Sequence, residues 1–268
     1  MDKLSDNESK REFFREHFVH LQSDENLAIC KPFITECERL ARVAMEYENQ
    51  CQDLMAKLSK EVATEQFATG GEALHRGYYC PSPIRDIVIG NSNRGKLLSR
   101  LTKRSKPTYQ YKFDDNGRMI LVDNIHYDIN STSTEIILHD VGKELGVVSR
   151  IWNGEQMIEQ VSEIIYENGK IISYTTGDGY GNTDVPYSIG QYIREEYTYS
   201  EKGIETAHIY HFLNHEFAQL LRHFEFRFQH DEEGYLSEYS EIIHPNSSGR
   251  TEPVLDGQIY SVRVKRKV

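Results

Sequence analysis

The chain has 268 residues, enough for one large domain or two modest ones with a substantial core. Hydrophobic residues make up 38% and charged residues 27%, at a mean hydropathy of −0.62. No run approaches the ~18 apolar residues of a membrane span, and the opening MDKLSDNESKREFF lacks the basic-then-apolar pattern of a signal peptide. The net charge of −11 is uneven: residues 1–70 carry 9 basic and 14 acidic side chains, 71–107 carry 8 and 2, and 108–268 carry 14 and 26. An acidic body with one basic segment set in it repels nucleic acid and speeds encounter with a basic protein. Four cysteines, Cys30, Cys37, Cys51 and Cys80, show no Cys-x-x-Cys pair. They read as small core residues of a protein kept in a reducing cytoplasm.

Residues 1–70 form a helical region. Phe14, Phe18 and Leu21 recur at helical spacing. After Pro32, apolar or small residues recur at Ile34, Cys37, Ala41, Ala44, Cys51, Met55, Leu58 and Val62. Pro32 suits a first turn and Gly70-Gly71 a stop. The expectation is one helix of about 33 residues, ~50 Å long, packed along a sheet or paired with another helix.

Residues 71–107 read as a basic connector. Within it, RDIVIGNSNRGKLLSRL (85–101) offers Gly90-x-x-x-x-Gly95-Lys96 after an apolar run, the order of a phosphate-binding loop. Leu97 stands where such a loop needs a hydroxyl for magnesium. The flanks are a long helix and an antiparallel meander, not the parallel sheet such a loop works from. The stretch reads as a mimic, with Arg94, Lys96, Arg100, Lys103, Arg104 and Lys106 solvated or paired to the acidic body. It lacks the aromatic stacking groups expected of an RNA-binding segment.

From 108 to 268 the period changes to two. Tyr109, Tyr111 and Phe113 alternate with polar residues, as do Tyr197 and Tyr199, and Phe224, Phe226 and Phe228. Turn signals with an acidic or amide residue before glycine end at Gly117, Gly142, Gly169, Gly203 and Gly234. The expectation is a meander of about ten antiparallel strands built from approximate hairpin repeats, and an α+β fold overall. GDGYGNTD (177–184) reads as an exposed loop.

Three arrangements bear on chemistry. His208, His211 and His215 would share a face on a helix and ligate zinc. Thr206–Phe212 reads as a strand, however, with a helix starting only near Asn214, so structural histidines are expected. Asp178, Asn182 and Asp184 are oxygen donors without EF-hand spacing or its distal Glu. The paired acids Asp114-Asp115 and Asp231-Glu232-Glu233 sit at hairpin tips, where acids serve the turn. No catalytic set, cofactor site or metal site emerges.

Tyr111-Lys-Phe113-Asp114-Asp-Asn-Gly117-Arg118 resembles one YD-repeat unit of the Rhs type, and Ile165–Lys170, Tyr197–Gly203 and Phe226–Gly234 resemble degenerate units. Rhs-type repeats are non-enzymatic β scaffolds of toxin shells and of small toxin companions. The segment around 80–113 is similar to proteins of polymorphic-toxin loci. The resemblance implies an immunity protein of contact-dependent inhibition systems, cytoplasmic and non-enzymatic, that occludes a toxin domain such as a basic nuclease. The expected partner-binding residues are the exposed acids and aromatic at loop tips: Asp178, Tyr180, Asp184, Asp231, Glu232 and Glu233. The alternatives are a scaffold or adaptor that self-associates as a homo-oligomer through the long helix and, behind it, a phosphate- or metal-binding enzyme.

Overall fold

The structure, a computed structural model, describes residues 21, 23–89, 93–128, 130–152, 154–180, 189–215, 218–245, 252–262 and 265–267. Its helices are α1 (Asp24–Glu48), α2 (Cys51–Leu58) and α3 (Arg85–Val88), with a 3₁₀ turn at Gly77–Tyr79. The strands are β1 (Thr64–Thr69), β2 (Lys96–Leu97), β3 (Tyr109–Phe113), β4 (Met119–His126), β5 (Ser131–Asp140), β6 (Lys143–Trp152) and β7 (Glu155–Glu167). They continue as β8 (Lys170–Tyr180), β9 (Ile189–Ser200), β10 (Gly203–His215), β11 (Ala218–His230), β12 (Leu236–Ile243) and β13 (Val254–Ser261). From β3 onward each strand pairs with its neighbour in sequence, and β1 lies between β3 and β2. The meander is as expected: among the described residues of 108–268 it has eleven strands, β3–β13, against the expected ten or so, and β1 and β2 add to the sheet from earlier in the chain.

The expected single long helix is instead α1, α2 and β1. Asp24 and Glu25 open α1 at its positive end, Asn26 N–H bonds back to Ser23 Oγ at 3.2 Å, and Pro32 lies inside the helix rather than at its start. The break after Glu48 has a local cause. Gln50 N–H bonds to Tyr47 O at 3.0 Å, three residues back, while the Gln50 side-chain amide donates to Glu46 O at 2.8 Å. Backbone and side chain together close the helix. Thr64–Thr69 then pairs antiparallel with β3, from Thr64 opposite Phe113 to Ala68 opposite Tyr109. A threonine- and phenylalanine-bearing run gains more from that ladder than from a last helical turn.

The chain divides into two compact units, residues 43–174 and residues 1–42 with 175–268; the division falls within α1 and within β8. In the first unit the inward tyrosines expected of β3 are inward: Tyr109 and Tyr111 are buried with Ala68, Val122 and Ile137, and stack on each other at 5.8 Å. Residues 71–80 lie over them. Tyr109 OH donates to Leu74 O and Tyr111 OH to Arg76 O at 2.9 Å, and a side chain at Gly77 would overlap the Tyr109 ring. In the second unit Phe33 of α1 packs on Tyr192, Tyr210 and Phe212, with ring centroids 5.7–6.1 Å apart. Leu40 fills the space that Gly177 leaves open. The four cysteines form no disulfide and are buried, and burial pushes the Cys37 thiol up to about 12. No described helix is long and apolar enough to cross a membrane.

Candidate functional site

The basic segment is folded into residues 43–174 rather than strung between elements. The 85–88 stretch, the apolar run before the Gly90–Lys96 motif, is the one-turn helix α3, and Lys96 begins the short strand β2. The order is helix, loop, strand, the reverse of what phosphate binding needs. Gly90 lies outside the described residues. Gly95, at φ +75°, backs onto Thr69 and Gly70, where a Cβ would overlap the backbone. Arg94 is held by Asp86 at 3.1 Å, by Cys80 O at 2.6 Å and by Ser82 O. Lys96, Arg100, Lys103, Arg104 and Lys106 are exposed.

The same unit contains a buried ionic network that the sequence does not announce. Arg76, at φ +58°, sends its guanidinium to Glu135 on β5 (Nη2–Oε1 2.8 Å, Nε–Oε2 3.0 Å) and to Glu144 on β6 (Nη1–Oε2 3.0 Å). His75 bridges Tyr174 OH (2.7 Å) and Glu135 Oε2 (3.0 Å), and Tyr166 OH donates to Glu144 Oε1 at 2.5 Å. Burial raises the Glu135 carboxyl, but Arg76 and His75 overcome it and hold the group well below the usual carboxylate range. Both Glu135 oxygens are bonded, and Gly146 leaves the room they occupy. A fully paired network of this kind locks the 71–80 loop onto β5 and β6.

Of the expected partner-binding residues, Asp231, Glu232 and Glu233 share the turn between β11 and β12. Asp178 is half-buried near the far end of β8, Tyr180 ends that strand, and Asp184 lies outside the described residues. Asp178 lies on β8 and Asp231, Glu232 and Glu233 follow β11, with β9 and β10 between those strands in the sheet. Within the turn, Asp231 and the glutamates differ. Asp231 Oδ1 accepts Tyr235 N–H at 2.8 Å, and the Asp231 N–H and C=O bond to Tyr235 and Gly234. The Asp114–Arg118 turn is built the same way: Arg118 N–H to Asp114 Oδ1 at 2.8 Å, Gly117 N–H to Asp114 O at 3.0 Å, Asp114 N–H to Arg118 O at 2.9 Å. The backbone N–H of Tyr235, above all, holds the Asp231 carboxyl below its ordinary value. Glu232 and Glu233 are exposed. At the same end, Lys202 Nζ reaches Asp231 O at 3.4 Å, which sets the exposed Glu201 beside them.

The histidines are placed differently from the sequence expectation. No helix starts near Asn214; β10 runs on to His215, and residues 218–223, expected as helical, belong to β11 together with the expected strand at Phe224–Phe228. The β10–β11 register sets Leu220 and Leu221 opposite Leu213 and Phe212, a pairing that overrides the local helical pattern. His208 and His211, three apart on a strand, point to opposite faces as expected. The register sets Tyr210 opposite His223 and His208 opposite Glu225. His244 continues the β12 ladder, its N–H bonding to His223 O at 3.0 Å.

The result is a half-buried cluster of His208, His223 and His244, one from each of three adjacent strands, with a ring nitrogen of each within 4.8 Å of the others. His208 Nδ1 and His223 Nε2 are 3.0 Å apart, and His223 stacks between Tyr210 (4.3 Å) and His244 (4.2 Å). Glu225 takes His244 Nε2 at 2.7 Å and Arg227 Nε at 2.6 Å. Burial, then His244 and His208, push His223 down to about 4, so it is neutral at pH 7. Only the hairpin register reveals this set. Read along the chain, the three are 15 and 21 residues apart and carry no motif.

Comparison with known proteins finds no family that matches the chain and no curated protein significantly similar to it.

Proposed function

We propose that this chain is a non-enzymatic binding protein of the immunity type, which captures a basic toxin domain and occludes it. The observation that carries the reading is the set of exposed glutamates at one end of β9–β12, where Glu201, Glu232 and Glu233 lie on two turns joined by Lys202, with Lys265 and Lys267 over the nearby Tyr235 ring. Carboxylates presented this way mimic the spaced negative charges of a nucleic-acid backbone and draw a basic surface by long-range attraction. The net charge of −11 and the resemblance of residues 111–118 to a YD-repeat unit support the same reading. Asp231 serves the turn itself, so the contact falls to the glutamates. The adaptor alternative has less support, because Phe33 and Leu40 of α1 are spent on the chain's own sheet.

The test is rescue. The C-terminal region encoded by the upstream neighbouring gene is induced in cells with and without this protein, and survivors are counted. Specific rescue with co-purification is expected, and Glu201→Lys/Glu232→Lys/Glu233→Lys should slow association and flatten its salt dependence. Equal killing in both strains would overturn the reading.

A further inference from the structure

We propose that His208, His223 and His244 form a binding site for one divalent transition-metal ion of the zinc type. The inference stands apart from the partner-binding reading, since the cluster and the exposed glutamates share no residue.

The donor set decides the class of ion. Three imidazoles with no carboxylate or carbonyl among them suit zinc, nickel or copper and not the oxygen-seeking magnesium or calcium. The spacing fits as well. Two nitrogens bound at 2.0–2.1 Å to one tetrahedral ion are roughly 3.3–3.4 Å apart. His208 Nδ1 and His223 Nε2 stand at 3.0 Å, a few tenths of an ångström short of that separation, while His244, stacked on His223 at 4.2 Å, has to turn its ring to bring a nitrogen to the same ion.

The rings are also held for the task. A ligating histidine usually gives its other ring N–H to a carboxylate, which fixes tautomer and orientation. Glu225 does this for His244, and Arg227 in turn holds Glu225. Tyr210 supports His223 from below. The three strands bring their histidines together through backbone ladders, so no ordering of a loop opposes binding. Three protein ligands leave a coordination position for water or for a donor from a bound partner, as in sites where zinc is exchangeable or reactive.

The experiment uses the full chain, expressed without a histidine tag and stripped with a chelator. Zinc chloride is titrated by calorimetry, and cobalt(II) is added to a second sample for its visible absorption bands. One equivalent of zinc and tetrahedral or five-coordinate cobalt bands are expected. His208→Gln and His244→Gln should each weaken zinc at least ~100-fold and Glu225→Gln ~10-fold, while His126→Ala leaves it unchanged. The cobalt spectrum needs no variant, so a misfolded substitution does not decide the matter. Absence of both zinc heat and cobalt bands in the unaltered chain would overturn the proposal. So would unchanged affinity in the folded His208→Gln and His244→Gln variants.

Discussion

Gly146 on β6 leaves empty the space into which Glu135 on β5 directs its carboxylate; a Cβ at 146 would overlap Glu135 Oε1 and Ser162 Oγ and crowd Arg76. The backbone conformation does not demand glycine there; the neighbouring side chains do. Gly146→Ala should therefore destabilise the protein by about 2–3 kcal/mol through overpacking. Urea denaturation checks this, and an unchanged midpoint would mean that the network has room to move.

Arg76 and Glu135 depend on each other. Arg76→Met strands a buried carboxylate and should cost about 3–5 kcal/mol, whereas Arg76→Met/Glu135→Leu should recover most of that loss. Additive losses in the double variant would show that the pair is not the unit of stability.

Acid should unfold the protein in two stages. His223 titrates lower in the folded chain (about 4) than the ordinary 6.5, so the folded state binds fewer protons than the unfolded one between those values. Its contribution is complete above 6.5 and is lost as the pH falls towards 4. Glu135 is likewise depressed from 4.5, so its contribution holds above that pH and fades below it. Urea midpoints at pH 7.5, 5.5 and 4 should fall in that order, and His223→Gln should remove the first step. A flat profile down to pH 4 would refute the assignment of His223.

The two Asp-x-x-Gly turns predict a contrast between neighbours. Asp231→Ala and Asp114→Ala should lower the melting temperature, because each leaves backbone N–H groups without their acceptor. Asp231→Asn retains the Oδ1 acceptor and should recover most of the loss. Glu232→Ala should change the melting temperature little, and calorimetric scans of the four variants separate these outcomes.

Much of the β architecture was legible because it is written locally. Alternating aromatics marked β3, β9 and β11, and the turns at Gly117, Gly142, Gly169, Gly203 and Gly234 each join two paired strands. The intervals between those glycines span two strands, since the sequence between β4 and β5 or between β10 and β11 carries no comparable signal. What escaped was set by pairing partners. Residues 64–69 follow helical periodicity in sequence and became β1 because β3 offered a ladder. Residues 218–222 look helical until folded against β10. The histidine cluster escaped for the same reason: reading a helix from Asn214 hides that 208 and 223 lie on neighbouring strands. Arg76, Glu135 and Glu144 carry no motif in the sequence, and only the 71–80 loop lying over the sheet brings them together.

The meander has one more implication, for its history. Where every strand after β2 bonds mainly to those adjacent in sequence, a hairpin can be copied or deleted without rethreading the rest. The Asp114 and Asp231 turns, alike bond for bond yet more than a hundred residues apart, are what such copying would leave behind. A chain of this design can change its length by whole hairpins while each copy drifts towards a separate task.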